Sequence, residues 1–260
     1  MSIEKTEAVV LRTLNFRDSS KIVTFYTRRY GKMTALARGA RNPKNKFGSL
    51  LQPLNYLQIV IYRRENRQMQ YLSGCEFIRF FKTITTDFEK LSVGMAILEV
   101  VDKTSHDEEE NESLFLLITE TLSAIDEPSS YPINALIHFG LRLSSILGYS
   151  PEFSFCLICR KEIDFSKSSK ISYAIERGGP ICNNCSRQFR SSFQLSLEAL
   201  EVLKSYSGIQ PSLAARTQIQ VELQRELLHF VVIYLKRHWD ALKEIKSLNF
   251  LSIFNRTGGV

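Results

Sequence analysis

Ile22-Val23-Thr24-Phe25-Tyr26-Thr27 and Met33-Thr34-Ala35-Leu36-Ala37, joined through Tyr30-Gly31-Lys32, read as two short strands closed by a glycine turn. Ala8-Val9-Val10-Leu11-Arg12-Thr13 before them, and Leu57 to Tyr62 and Met69 to Leu72 after them, have the same density of apolar and β-branched residues. In the middle of the set lies Arg38-Gly39-Ala40-Arg41-Asn42-Pro43-Lys44-Asn45-Lys46-Phe47-Gly48. Two glycines, a proline and four positive charges cannot continue a strand, so this stretch reads as an exposed loop. Five short strands with long loops predict an OB-type barrel over residues 1–80.

Charge singles out the same region. Between Asp18 and Glu65 there is no acidic residue but ten basic ones: Lys21, Arg28, Arg29, Lys32, Arg38, Arg41, Lys44, Lys46, Arg63 and Arg64. Residues 1–80 hold 15 Lys+Arg against 5 Asp+Glu and residues 81–260 hold 19 against 22, so the whole-chain net charge of +7 comes from the barrel. A concentrated positive charge on a β surface points to a polyanion, with nucleic acid ahead of membrane. Lys32, Arg38, Arg41, Lys44 and Lys46 are the candidate phosphate contacts: arginine forks onto phosphate oxygens, lysine acts as a point charge. Phe47 is either a platform that stacks a base or an anchor that tucks the loop against the barrel.

Beyond residue 80 the apolar period changes from two to that of a helix. Phe88, Leu91, Met95 and Leu98, then Leu114 to Ile125, then Ile133 to Leu141 predict three helices, with Pro132 at a first turn and Gly148 just past an end. The acidic run Asp107-Glu108-Glu109-Glu110-Asn111-Glu112 reads as a solvated loop or a helix N-terminus. Ser196 predicts the cap of a further helix, and the longest helical signal covers about Arg216 to His238. The expected organisation is α+β and multidomain: barrel 1–80, helical domain 81–150 and 190–250, and a cysteine-bearing segment 151–189.

That segment contains Cys156-Leu157-Ile158-Cys159 and Cys182-Asn183-Asn184-Cys185. Two C-x2-C knuckles bring four thiolates to one tetrahedral centre, which suits Zn²⁺ as a soft-tolerant, redox-inert ion. A redox dithiol and an iron–sulfur site are the alternatives. Gly178-Gly179-Pro180 offers a tight backbone before the second pair, and a spacer strand is expected at Ile171–Ile175, giving a zinc-ribbon-like insertion. One structural Zn²⁺ held by Cys156, Cys159, Cys182 and Cys185 would leave no open position for hydrolysis. Cys75 reads as a small buried hydrophobe.

No catalytic residue is assigned. The chain has no phosphate-binding glycine loop, no dinucleotide fingerprint, no H-E-x-x-H and no nucleophile elbow. His138 and His229 fall in apolar helical patterns, as core or boundary histidines. The longest uninterrupted apolar run, Phe230 to Leu235, is far short of a membrane span, and the start of the chain mixes acidic and basic residues, so a cytoplasmic protein with no membrane contact is expected. A zinc-ribbon transcriptional regulator is the competing class. It needs a helix whose polar face reads base edges, and the first turns from Arg216 to Gln220 are the nearest candidate.

The segments Glu7-Ala8-Val9-Val10-Leu11, Lys21 to Thr27, Tyr30-Gly31-Lys32, Ala37-Arg38-Gly39-Ala40-Arg41, Lys46-Phe47-Gly48 and Leu51-Gln52-Pro53-Leu54 together resemble the N-terminal domain of the bacterial recombination mediator RecO family. Phe139-Gly140-Leu141-Arg142-Leu143, Leu147-Gly148-Tyr149-Ser150-Pro151 and the two cysteine pairs are similar to that family's later landmarks. Asn45 stands where the family often has serine. The resemblance implies a nucleoid-associated protein of the bacterial cytoplasm acting in the RecFOR pathway of DNA repair. Such a protein binds single- and double-stranded DNA, anneals complementary strands and assists RecA loading. It implies RecR as a partner, and single-strand-binding protein contacted through its acidic C-terminal tail, here by the helical part near Lys236-Arg237-His238-Trp239, with Trp239 as core residue the plainer reading.

Overall fold

The computed structural model describes residues 2–42, 44–45, 47, 49–64, 67–164, 169–187 and 193–247. Their contacts form two compact units, one running to Pro128 and taking in Ile245–Ser247, the other Ser129–Glu244.

In the first unit β1 (Ser2–Phe16), β2 (Ser20–Thr27), β3 (Gly31–Ala37), β4 (Tyr56–Arg63) and β5 (Met69–Arg79) close into a barrel in the order β1-β2-β3-β5-β4. β1 serves two neighbours: Ser2–Val9 pair with β4, and Ala8–Phe16 with β2. The register slips between Val10 and Arg12, and this bulge lets one strand bend from one side of the barrel to the other. Closure comes from a parallel seam in which Thr34, Ala35 and Leu36 face Met69, Gln70 and Tyr71. Inward positions at period two, Leu57, Ile59 and Ile61 among them, meet Val10, Val23, Phe25, Met33 and Ala35 in the core. β5 runs seven residues past the strand expected at 69–72, because a second irregularity near Ser73 keeps it paired with β4.

Among the described residues three α-helices complete this unit: α1 (Lys82–Thr86), α2 (Phe88–Thr104) and α3 (Glu112–Asp126). The side chains of Asp87 and Asn111 accept from Lys90 N and Leu114 N and cap α2 and α3. The Asp126 carboxylate accepts from the Thr83 backbone N–H at 2.8 Å, fixing α1 against the end of α3. Helix α1 was not foreseen. The acidic run joins α2 to α3, and it lies on the β2–β3 turn: Gly31, at φ +58°, is so close that a Cβ would stand 1.8 Å from the Glu109 carbonyl oxygen.

The second unit packs α4 (Pro132–Ile146), α6 (Leu197–Tyr206), α7 (Pro211–Ala214) and α8 (Val221–His238) with a small sheet. Gly140 makes the α4–α8 approach feasible, since a Cβ there would come within 2.4 Å of Val231 Cγ1. Ser196 caps α6 through Ala199 N, as its sequence context predicts. The sheet is β6 (Lys170–Ala174), β7 (Gly179–Ile181) and β8 (Phe193–Ser196), ordered β7-β6-β8, with the short α5 (Asn183–Ser186) after β7. The helical signal from Arg216 is corrected: α8 begins at Val221, and residues 217–220 are irregular backbone following the turn after α7. His138 is buried, its Nε2–H donates to the Ile209 carbonyl at 3.0 Å, and burial pushes its pKa down to about 4. His229 faces outward on α8, edge-on to Phe193.

The protein is thus α+β: a ring of five strands of OB type, helices, and a cysteine cluster with its own small sheet. Among the described residues no helix is long and apolar enough to cross a membrane.

Candidate nucleic-acid interface and four-cysteine centre

The loop after β3 is held by its own asparagines. Asn42 Oδ1 accepts from Lys44 N and Asn45 Oδ1 from Phe47 N, the local turn chemistry for which asparagine is suited. Arg41 is tied by its backbone N–H to the Ser19 carbonyl at 2.8 Å and by its guanidinium to the Arg17 carbonyl at 3.1 Å. Phe47 is half-buried against the barrel core, which is the anchoring arrangement. Beside it a concavity of about 560 Å³ opens between Asn42, Lys44, Asn45, Phe47 and Ser73-Gly74-Cys75 of β5. Cys75 is partly buried against the core, and burial pushes its thiol up to about 11, so it remains a neutral thiol.

Arg38, Arg41 and Lys44 are exposed, and Lys46 lies outside the described residues. Side-chain partners of the two arginines are the Tyr71 hydroxyl and a backbone carbonyl; no carboxylate pairs with Arg38, Arg41 or Lys44 among the described residues. Lys32 is placed differently. Its Nζ donates to the Asp102 carbonyl at 2.7 Å and lies 3.7 Å and 3.6 Å from the Asp102 and Asp107 carboxylates, with the side chain only 16% exposed. It therefore stands apart from the loop, as a cross-link between the β2–β3 turn and the acidic run. Arg28 pairs with Glu7 and Glu112, Arg29 with Glu4, and Arg63 with Glu108.

Two residues beside the loop escaped the sequence reading. Tyr71 and Arg67 lie with Arg38 on the seam between β3 and β5, where both guanidiniums stand over the Tyr71 ring. Arg67 falls just past Glu65, which ends the acid-free window, and nothing local marks Tyr71 as more than a strand residue.

In the second unit the four cysteine sulfurs lie within 4.8 Å of one another. The first knuckle is a tight hairpin: Phe155 bridges Glu162, Cys156 N donates to the Lys161 carbonyl, and Arg160 closes the turn at φ +59°. Leu157 packs on Gly179, where a Cβ would lie 2.7 Å from its Cδ2, and Leu157 N donates to the Pro180 carbonyl at 2.9 Å. That contact brings the hairpin to β7 and hence to Cys182. Gly178, at φ +68°, supplies the turn before β7. Cys159 and Cys182 sulfurs are 3.7 Å apart, close to the roughly 3.8 Å that tetrahedral Zn–S bonds of 2.3 Å impose. Burial opposes ionisation of Cys156, but N–H groups of Cys159, Cys182 and Ile158 outweigh it and bring the thiol down to about 6. Cys185 is pushed up to about 12, first by its hydrogen bond with Cys182 and then by burial and the neighbouring thiols. Four thiolates this close need a cation among them, and the donor set fits a metal ion.

Comparison with known proteins agrees with this arrangement at both ends of the chain. The family described as recombination protein O N terminal matches residues 1–81, and that described as recombination protein O C terminal matches residues 85–248. A DNA repair protein RecO from Thermoanaerobacter sp. is 29% identical over 252 residues, which is 97% of this chain and 98% of that protein. One from Symbiobacterium thermophilum is 28% identical over 251 residues, 96% and 97% of the two chains. One from Chloroherpeton thalassium is 34% identical over 180 residues, 68% and 70%. With both halves matched and relatives aligned end to end, the chain belongs to the recombination protein O (RecO) family.

Proposed function

We propose that this chain is a DNA-repair recombination mediator that binds single- and double-stranded DNA, anneals complementary strands and assists RecA loading onto DNA coated with single-strand-binding protein. The family is one of mediators, not enzymes. The observation that supports the reading is the loop carrying Arg38, Arg41 and Lys44, exposed and without carboxylate partners among the described residues, on an OB-type barrel. Annealing needs no covalent step. Two strands repel through their phosphates, and a protein that neutralises both lowers the barrier to pairing provided its grip exchanges readily. Of the residues assigned from sequence, Arg38, Arg41, Lys44 and Lys46 take this role, Phe47 anchors their loop, and Lys32 contributes through the fold of the turn.

The functional division follows the sequence: barrel 1–80 for DNA, segment 151–189 for metal, and helices of 81–150 and 190–250 for protein partners, RecR and single-strand-binding protein among them. The ion in the cysteine centre is Zn²⁺, held by Cys156, Cys159, Cys182 and Cys185, and it staples the hairpin to β7. Elemental analysis of protein purified without chelators should find about one zinc per chain; iron or an absence of metal would remove this assignment. For the acidic tail of single-strand-binding protein, the support is a surface cluster in which Tyr149 stacks within 4.9 Å of both His238 and Trp239, beside Lys236 and Arg237. The regulator reading loses its base-reading helix, since residues 217–220 are irregular.

A strand-annealing assay tests the whole. Complementary oligonucleotides should pair faster with the protein, both bare and coated with single-strand-binding protein. No acceleration on either would overturn the mediator reading.

A further inference from the structure

We infer that Arg38, Tyr71 and Arg67 form a phosphodiester clamp on the seam of the barrel, extending the DNA contact from the loop onto β5. This rests on the DNA-binding reading of the barrel and adds two residues and a geometry to it. The parallel pairing of Leu36 with Tyr71 sets Arg38 beside the ring: its guanidinium carbon is 4.7 Å from the ring centroid, and its Nη2 donates to the Tyr71 hydroxyl at 3.2 Å. The Arg67 guanidinium is 5.0 Å from the same centroid. Both arginines are exposed, and no carboxylate pairs with either among the described residues.

The barrel contains a second assembly of the same composition, which differs from the first among the described residues in one respect. Tyr30 has Arg63 at 4.6 Å and Arg29 at 5.4 Å from its ring centroid. There Glu4 pairs with Arg29 and Glu108 with Arg63, so two guanidiniums on one ring are matched by two carboxylates. A ring face attracts an exposed cation only weakly, which does not replace a counter-charge. At Tyr71 no carboxylate among the described residues fills that place, which leaves both guanidiniums open to an anionic ligand. The ring contact leaves each exposed guanidinium with further N–H donors free to take phosphate oxygens in pairs.

What favours a nucleic-acid strand over an acidic peptide is the surface next to the clamp. Asn45 Nδ2 reaches the Arg38 carbonyl at 3.4 Å, and the concavity floored by Ser73-Gly74-Cys75 follows Tyr71 directly along β5. Apart from Lys44 its lining is neutral, with the Asn42 and Asn45 amides, the Ser73 hydroxyl, the Cys75 thiol and the Phe47 ring, a surface suited to flat polar bases beside a cationic group.

The test measures oligo(dT) affinity by anisotropy across a salt series for the full chain and for R67Q, Y71L and the control R29Q. Arg67 is exposed and its contact with Gln70 uses only its backbone carbonyl, so R67Q should fold normally. R67Q should reduce the slope of log K against log salt by about 0.7, which is about fivefold in affinity at 0.1 M salt. Y71L, which keeps both charges, should weaken binding less than R67Q does, and R29Q should leave the slope unchanged. A wild-type slope in R67Q overturns the clamp alone, whereas absence of binding by the unsubstituted chain overturns the clamp and the DNA-binding reading together. If R67Q loses affinity for a poly-glutamate peptide while keeping its DNA slope, the clamp belongs to a protein partner and the phosphodiester assignment falls.

Discussion

The β2–β3 turn and the loop after β3 carry the same kind of residue in the same acid-free stretch of sequence, yet they end in opposite electrostatic states. Arg28, Arg29 and Lys32 at the turn, joined by Arg63 from β4, find Glu4, Glu7, Asp102, Asp107, Glu108 and Glu112. Arg38, Arg41 and Lys44 in the loop find none among the described residues. The difference arises from topology. The acidic run between α2 and α3 folds back onto Gly31, because Glu108 N donates to the Lys32 carbonyl at 2.8 Å and Asp107 forms a bridge with Lys32. A stretch that is purely basic in sequence is thus divided in space, among the described residues, into a matched turn and an unmatched loop, and the loop has charge available for a ligand.

Breaking the unmatched half should have the largest effect. Replacing Arg38, Arg41, Lys44 and Lys46 together by Ala is expected to lower the single-strand salt slope by up to about 0.7 per lost contact, or up to two to three orders of magnitude in affinity at 0.1 M salt for all four, on the order of what counterion release predicts. Thermal stability should hardly change, since the three described side chains are exposed. The matched half should show the reverse. Lys32→Ala removes a mostly buried ammonium and takes its donor from the Asp102 carbonyl, while the Asp102 carboxylate keeps Arg12, a loss of about 1–2 kcal/mol in urea unfolding, with the DNA salt slope unchanged. Arg28→Ala should cost far less stability than Lys32→Ala, because its ion pairs are solvent-screened at the surface, and should also leave the slope unchanged. A large fall in slope for Lys32→Ala or Arg28→Ala would erase the distinction between the two regions.

Much of this was legible in the sequence, for identifiable reasons. Strands at period two, the asparagine turns of the loop, the Ser196 cap and the paired cysteines are local signals, and each stands where the sequence puts it. Phe47 left two roles open in sequence; it is partly buried against the core, the contact an anchor makes, and also lines the concavity beside the loop. What local reading missed depends on distance along the chain. Lys32 meets Asp102 across 70 residues, and Arg38 meets Tyr71 across 33, so neither the quenching of one nor the stacking of the other leaves a mark nearby. The helical signal at Arg216 failed differently. Apolar spacing at Ile219 continues the α8 register, but the turn after α7 and the Asn134 side chain, which donates to the Thr217 carbonyl at 2.6 Å, hold this segment outside the helix.

The smallest effect, and the finest test of the contrast, is to turn the matched half into an unmatched one by pH. Hydrogen bonds from Tyr30 and Ser2, aided by the charges of Arg29 and Arg63, hold the Glu4 carboxyl below its ordinary 4.5. A carboxylate with a depressed folded pKa keeps its contacts fully above 4.5 and loses them as pH falls through the depressed value. From pH 7 to 5 the Tyr30 assembly should therefore remain neutralised and the salt slope for oligo(dT), whose base does not titrate here, should stay constant. Below about pH 4.5 the slope should steepen by at most about 0.7 for each guanidinium released. Glu4→Gln at pH 7 should reproduce the steepening contributed by Arg29 without acid, and combining it with Arg29→Gln should remove it again. If Glu4→Gln leaves the slope unchanged at pH 7, the guanidiniums at Tyr30 are excluded from DNA by their position in the fold, and carboxylate pairing is not what separates them from those at Tyr71.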